Sequence, residues 1–209
     1  MNVVHVLQQG GVAMVPLLLL SILAMTVTLE RTLYFASLEW GGGPFGGRLR
    51  EFLRLGKVPE AILWLTGLNG AIASIAAAGL AQWDRGKEAM ESAIVVRAQE
   101  ENMELHKHLA LLETTVTASP LIGLLGTITG MMGVFRAVSA KMAQNPQADT
   151  SSILAGIGEA LVATASGILL AVVCLFLHNL FQRLAESQME KSQILSLKLL
   201  NIWDEENGD

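Results

Sequence analysis

One carboxylate, Glu159, stands inside the run SILAGIGEALVATASGILLAVVCLFLHNL from Ser152, which is otherwise apolar or small and long enough to cross a membrane. A charge in such surroundings costs several kcal/mol, so the residue is a functional candidate by default. Thr164 lies five residues further on, and Thr127 and Thr129 lie in a second run, TTVTASPLIGLLGTITGMMGVFRAV from Thr114. Hydroxyls and a carboxylate can hydrate an ion or relay a proton, yet this set makes no complete polar path within one chain. On a helix, Glu159 and Thr164 are separated by about 7 Å of rise and about 140° of rotation, so they need not share one pore line.

Other chemistries lack their residues. His106 and His108 are two apart and do not face each other on a helix, which argues against a metal pair. His178 reads as an interfacial or packing residue, and the single cysteine, Cys174, as a small packed side chain. Glycines 123, 126, 130 and 133 are followed by no Lys-Ser/Thr and sit in an apolar run, so they are no phosphate cradle. A net charge of -5 gives no concentrated basic face for nucleic acid. With no Cys/His cluster or carboxylate pair, the chain reads as a non-enzyme without cofactor or metal.

The elements that must position Glu159 and the threonines are membrane helices. Hydrophobic residues make up 52% and charged residues 16% of the 209, against about 25% charged in a soluble chain. The apolar residues collect into three blocks near the roughly 20 residues that a span needs. The spacing predicts an all-α membrane protein. Residues 1–11 form a short outer segment, 12–35 a first span, 36–113 a cytoplasmic helical region, 114–138 a second span, 139–152 an outer loop, 153–180 a third span, and 181–209 a cytoplasmic helix and tail. Arg31, Arg48, Arg50, Arg54 and Lys57 follow the apolar block Val12 to Leu29 of the first span, and Arg183 and Lys191 follow the third span, so positive charge puts the N-terminus outside and the C-terminus inside. The first span reads as a retained anchor, and the segment before it as a brief interfacial helix or disorder.

Within 36–113, residues 41–47 read as a glycine-rich loop, followed by short helices that end at Gly56 and at Asn69-Gly70. Residues 71–113 hold no proline and keep helical spacing, which predicts one long helix, bent near Gly86, running directly into the second span. Its apolar stripe needs either the C-terminal helix or a neighbouring subunit as cover. Asp204 and the residues after it read as a frayed acidic end.

In the second span, Gly126 and Gly130 make a small surface, extended by Thr129 and Gly133, while Pro120 bends the helix or marks the membrane entry. The threonines there can bond back to their own helix. In the third span, Gly156, Ala160 and Thr164 form one row, and Glu159, Ala163, Gly167 and Ala171 the adjacent one. So much small surface packs against protein or borders a narrow cavity. Several copies around an axis would bring the polar sites into rings, with room in the lumen for another helix.

Two segments, SPLIGLLGTITGMMGVF from Ser119 and IGEALVATASGILLAV from Ile157, with Asn179 after them, resemble the MotA/TolQ/ExbB proton-channel family. The three-span layout is similar to its ExbB/TolQ branch. That resemblance implies a bacterial inner-membrane protein with periplasmic residues 1–11 and 139–152, assembled as a homopentameric ring. It implies a dimer of single-span ExbD/TolR-like chains in the ring, supplying the protonatable aspartate, and a TonB- or TolA-like protein beyond. It also implies that Thr127 and Thr164 line the proton path, that Glu159 shapes the outer entrance, and that Asn179 stabilises the inner end. Pro120, Gly126, Gly130, Gly133, Ala160, Ala163 and Gly167 would pack the helices or support the pore. Energising TonB-dependent transport across the outer membrane leads; a TolQ-like role in envelope integrity, or a non-conducting scaffold, stays open.

Overall fold

The computed structural model describes residues 11–38, 44–142 and 150–207. Among them every regular element is helical: α1 (Met14–Ser37), α2 (Pro44–Arg54), α3 (Val58–Thr66), α4 (Ala71–Leu80), a 3-10 turn (Trp83–Arg85), α5 (Lys87–Leu105), α6 (Leu109–Met142) and α7 (Thr150–Asn207). Three of these, α1, α6 and the first part of α7, are long and apolar enough to cross a membrane. The interfacial reading of residues 1–10, and most of the outer loop, lie outside the described residues.

The chain divides into two compact units, one of Met1–Glu30 with His108–Asn179, the other of Arg31–Lys107 with Leu180–Asp209. The first holds the apolar spans. In the second, Leu49 and Leu53 of α2 meet Leu65 of α3, Leu80 of α4 and Leu199 of α7 in one core. Helix α4, AIASIAAAGL, is almost entirely buried, and alanines and one glycine let its neighbours come close. A Cβ on Gly79 would stand 2.8 Å from the side chain of Ile94 on α5. Arg31 is 1% exposed, donates from its guanidinium to the Glu104 carbonyl at 2.9 Å and lies 4.7 Å from the centre of the Tyr34 ring. Arg31 is thus a buried tie.

Three expectations need correction. Residues 71–113 are not one helix: α4 ends at Leu80, Gly86 turns with φ +98°, and α5 ends at Leu105 before α6 begins at Leu109. The second break hinges on His108 at φ +62°, a left-handed conformation that costs a non-glycine residue about 1 kcal/mol or more. Leu105 before the break and Leu109 and Leu112 after it are each buried, and His108 Nδ1 sits 3.4 Å from a Glu30 carboxylate oxygen. The loop read over 41–47 is helical from Pro44, whose fixed φ suits a first helical turn. The acidic end is not frayed up to Asn207: Trp203 Nε1 donates to the Trp83 carbonyl at 3.0 Å and Lys87 pairs with Asp204 at 2.5 Å. That pair is nearly half exposed and contributes at most about 1 kcal/mol; the indole bond and the burial of Leu199 hold the turn.

The buried seam of α7 in this second unit is unexpectedly polar, with Gln188, Ser192 and Ser196 all buried. The two serines donate to carbonyls one turn back at 2.8 Å. Both polar atoms of the Gln188 amide lack a partner among the described residues. Replacing it with an apolar side chain of like shape removes a desolvation cost of about 1–3 kcal/mol. Gln188→Met is therefore expected to raise the thermal midpoint in detergent by several degrees; an unchanged or lower midpoint would show that the amide is satisfied in the assembled protein.

Candidate functional site

Helices α6 and α7 meet along a seam of small residues. Gly123 and Gly126 of α6 face Ala163 and Thr164, Gly130 faces Ala160, and Val134 faces Gly156. A Cβ on Gly130 would lie 3.2 Å from the Cβ of Ala160, and one on Gly126 would lie 2.6 Å from that of Ala163 and 2.8 Å from that of Ala13 in α1. Gly167 sits directly on the Ser119 carbonyl and on the Gly123 backbone. Ala160, Ala163, Ala171 and Cys174 are buried along this line, as are Thr115 and Ser119 opposite. Without hydrocarbon-driven attraction between helices in lipid, such close backbone approach is what holds two spans together.

The approach puts two hydroxyls on one turn. Thr164 Oγ1 donates across the interface to the Gly123 carbonyl at 2.9 Å, and Thr127 Oγ1 donates within its own helix to the next carbonyl, Leu124, at 2.7 Å. Thr164 and Thr127, from separate spans, thus bond to consecutive carbonyls of α6. Thr129 bonds back to Leu125 and Gly126, each at 3.0 Å. With their protons committed, the Thr127 and Thr164 oxygens keep lone pairs to accept a hydrogen bond from a visiting donor; after a rotation, each could donate to an anion instead.

Glu159 is not brought to this turn. It is exposed within the chain, and its carboxylate lies against Gly11, whose φ of +64° favours glycine. Gly133 is also exposed, with open space where a Cβ would be, so it lies off the seam that Gly126 and Gly130 form. Pro120 lies inside α6, one residue after buried Ser119, whose hydroxyl turns back to the Thr115 carbonyl. Asn179 is exposed. Among the described residues no group of three His, Cys, Asp or Glu could hold a metal.

Ser119 and Gly123 were not singled out from sequence, although both carry the seam. The signal was present: 115, 119, 123, 126, 130 and 134 are small or β-branched and recur every three or four residues.

The same stretch decides the affiliation, for the family described as the MotA/TolQ/ExbB proton channel family matches residues 68–194. The chain belongs to this family. It is 29% identical over 202 residues to an ExbB-like biopolymer transport protein of Synechocystis, covering 94% of this chain and 77% of that one. A second ExbB-like protein of Synechocystis is 31% identical over 190 residues, covering 84% and 82%. The Tol-Pal system protein TolQ of Pseudomonas aeruginosa is 34% identical over 103 residues, covering 49% and 43%. As a member of the MotA/TolQ/ExbB family, the chain is a membrane transport protein of a proton-channel class rather than of an enzyme class. Its small-residue seam and paired threonines lie within the matched region.

Proposed function

We propose that the chain is the ring-forming subunit of an ExbB-like, proton-driven motor of the bacterial inner membrane. The carrying observation is the convergence of Thr127 and Thr164 on consecutive carbonyls, Gly123 and Leu124. In this reading five copies surround a dimer of single-span ExbD/TolR-like chains, and the proton is carried by an aspartate of that partner. Spans two and three supply no carboxylate there, since residues 114–135 hold none and residues 153–177 only Glu159. The protonated aspartate donates to a threonine oxygen; the deprotonated one accepts from the same hydroxyl after it leaves its carbonyl. Neutralisation lowers the cost of facing the apolar wall, ionisation restores the preference for the threonine turn, and alternation moves the partner in the ring. The partner's outer domain then passes work to a TonB-like protein, with the N-terminus and the 139–152 loop periplasmic and the C-terminus cytoplasmic.

The exposed Glu159 supports assembly, because a carboxylate facing hydrocarbon is costly unless protein or water covers it. We place it at the outer entrance, setting hydration and field, and Asn179 at the inner end. Similarity to a TolQ over half the chain favours a second reading with the same pore chemistry, in which a TolA-like protein receives the work.

Co-reconstitution with the cognate single-span chain in vesicles holding a pH-sensitive dye tests the assignment. Inward proton flux is expected from the complex and not from either chain alone; absence of flux from the complex would leave the non-conducting scaffold. Glu159→Gln is expected to slow the flux and to flatten its dependence on outer pH, as the loss of a charge at the entrance would. An unchanged pH profile would reduce Glu159 to packing.

A further inference from the structure

The second unit carries two different surfaces on opposite sides of α7. By about 100° of rotation per residue, positions 195, 198, 202 and 205 lie on one side and 189, 193, 196 and 200 on the other. The first side forms a groove of about 450 Å³ with α2. Its floor is apolar, with Leu49 and Leu199 each 1% exposed, and its rim bears Arg50, Lys198 and Glu205. Gly46 and Gly47 make one edge, and nothing lies within 4 Å of a Cβ added to either, so a foreign backbone can come close there. Arg50 is only loosely engaged, 3.9 Å from a Glu205 oxygen with both side chains well exposed.

The other side of α7 abuts α5, whose Glu88, Glu91, Ser92, Val95 and Gln99 make an exposed ridge at helical spacing, its Glu91, Val95 and Gln99 also walling a groove of about 610 Å³ between the two helices. Val95 is 51% exposed and its neighbour Val96 55%. The cations of α5 are already engaged, Lys87 with Asp204 and Arg97 with Glu100 and Glu101. Glu88 and Glu91 therefore set the sign of its first turns. The ridge is apolar in the middle and acidic at one end; the groove is apolar in its floor and carries two cations against one carboxylate at its rim. Their heights along α7 agree, because α5 is tied to Asp204 through Lys87 and α2 reaches Glu205 through Arg50.

Surfaces that complement each other but not themselves join head to tail, and such a contact closes into a ring when its rotation allows. We propose that the α5 ridge of one copy of this chain lies in the α2–α7 groove of the next, with Glu88 and Glu91 beside the neighbour's Arg50 and Lys198. This rests on the oligomeric reading above and adds which surfaces meet. Rotation about an axis along the helices preserves height, so ridge and groove of successive copies stand level. The contact is charge-steered at its rim and weakens with salt.

The test uses the full chain in membranes with Cys174→Ser to clear the background, carrying Glu91→Cys and Lys198→Cys together. Mild oxidation is expected to give a ladder of covalent species, dimer upward, since each copy offers one thiol to each neighbour. Dimers alone, or no cross-link, from a protein whose mass in detergent shows an oligomer would overturn the ridge-in-groove contact and leave the oligomer standing. A single-chain mass for the unmodified protein would overturn both. As a second measurement, Arg50→Glu with Lys198→Glu is expected to cut the assembled fraction at low salt about tenfold, and adding Glu88→Lys with Glu91→Lys to restore it. Failure of the fourfold variant to recover while the cross-link is also absent rejects the pairing.

Discussion

Gly167→Val is expected to leave little folded protein in the membrane. The added Cβ would run into the Ser119 carbonyl and stand 3.2 Å from the Cα and 3.3 Å from the nitrogen of Gly123. All three are backbone atoms of α6, so no rotamer change relieves the contact; the helices must part. Overpacking costs about 1–3 kcal/mol where side chains can yield, and here the cost reaches or passes the top of that range. Separation also breaks the bond from Thr164 to Gly123 and opens the line of Gly126, Gly130 and Ala160. Gly133→Ala provides the contrast, since nothing lies within 4 Å of its Cβ, and helix propensity alone favours alanine there by about 1 kcal/mol. Thermal unfolding in detergent and membrane abundance report both variants. Similar midpoints for the two would show that the seam does not hold the spans together.

Thr164→Val should stop most proton flux while sparing the fold. Valine keeps the shape and loses the donor to the Gly123 carbonyl, a bond of 2.9 Å, for a stability cost of about 1–2 kcal/mol. The proposed path also loses the oxygen that receives the partner's acid, so flux in reconstituted vesicles is expected to fall by about tenfold or more, the equivalent of about 1.4 kcal/mol or more on the barrier. Thr127→Val separates the two effects. Its hydroxyl bonds only within α6, to Leu124, so its stability cost is smaller while its effect on flux is comparable. Thr164→Ser keeps the donor and should keep most of the flux. If loss of flux merely followed loss of stability across the three variants, the threonines would be struts rather than lining.

The limits of the sequence are physical. The break between α5 and α6 carries neither glycine nor proline, yet His108 there takes the left-handed conformation. A local pattern could not contain that, whereas the turn at Gly86 had its residue in view. The helical end of α7 was hidden for the same reason, since acidic residues look frayed until Trp203 finds the Trp83 carbonyl.

By itself the sequence determined what the bilayer demands of any chain: three apolar runs long enough to span, one carboxylate within them, and rows of small residues on two of the helices. Those follow from one-dimensional spacing, because lipid penalises each exposed polar group wherever the helix later packs. Only the tertiary structure decided where each hydroxyl points. Thr127 and Thr164 both had a carbonyl of their own helix within reach; Thr164 bonds to Gly123 instead because Gly123 and Gly167, lacking side chains, let the two backbones approach. The same closeness gathers both threonines on one turn and leaves Glu159 beside Gly11.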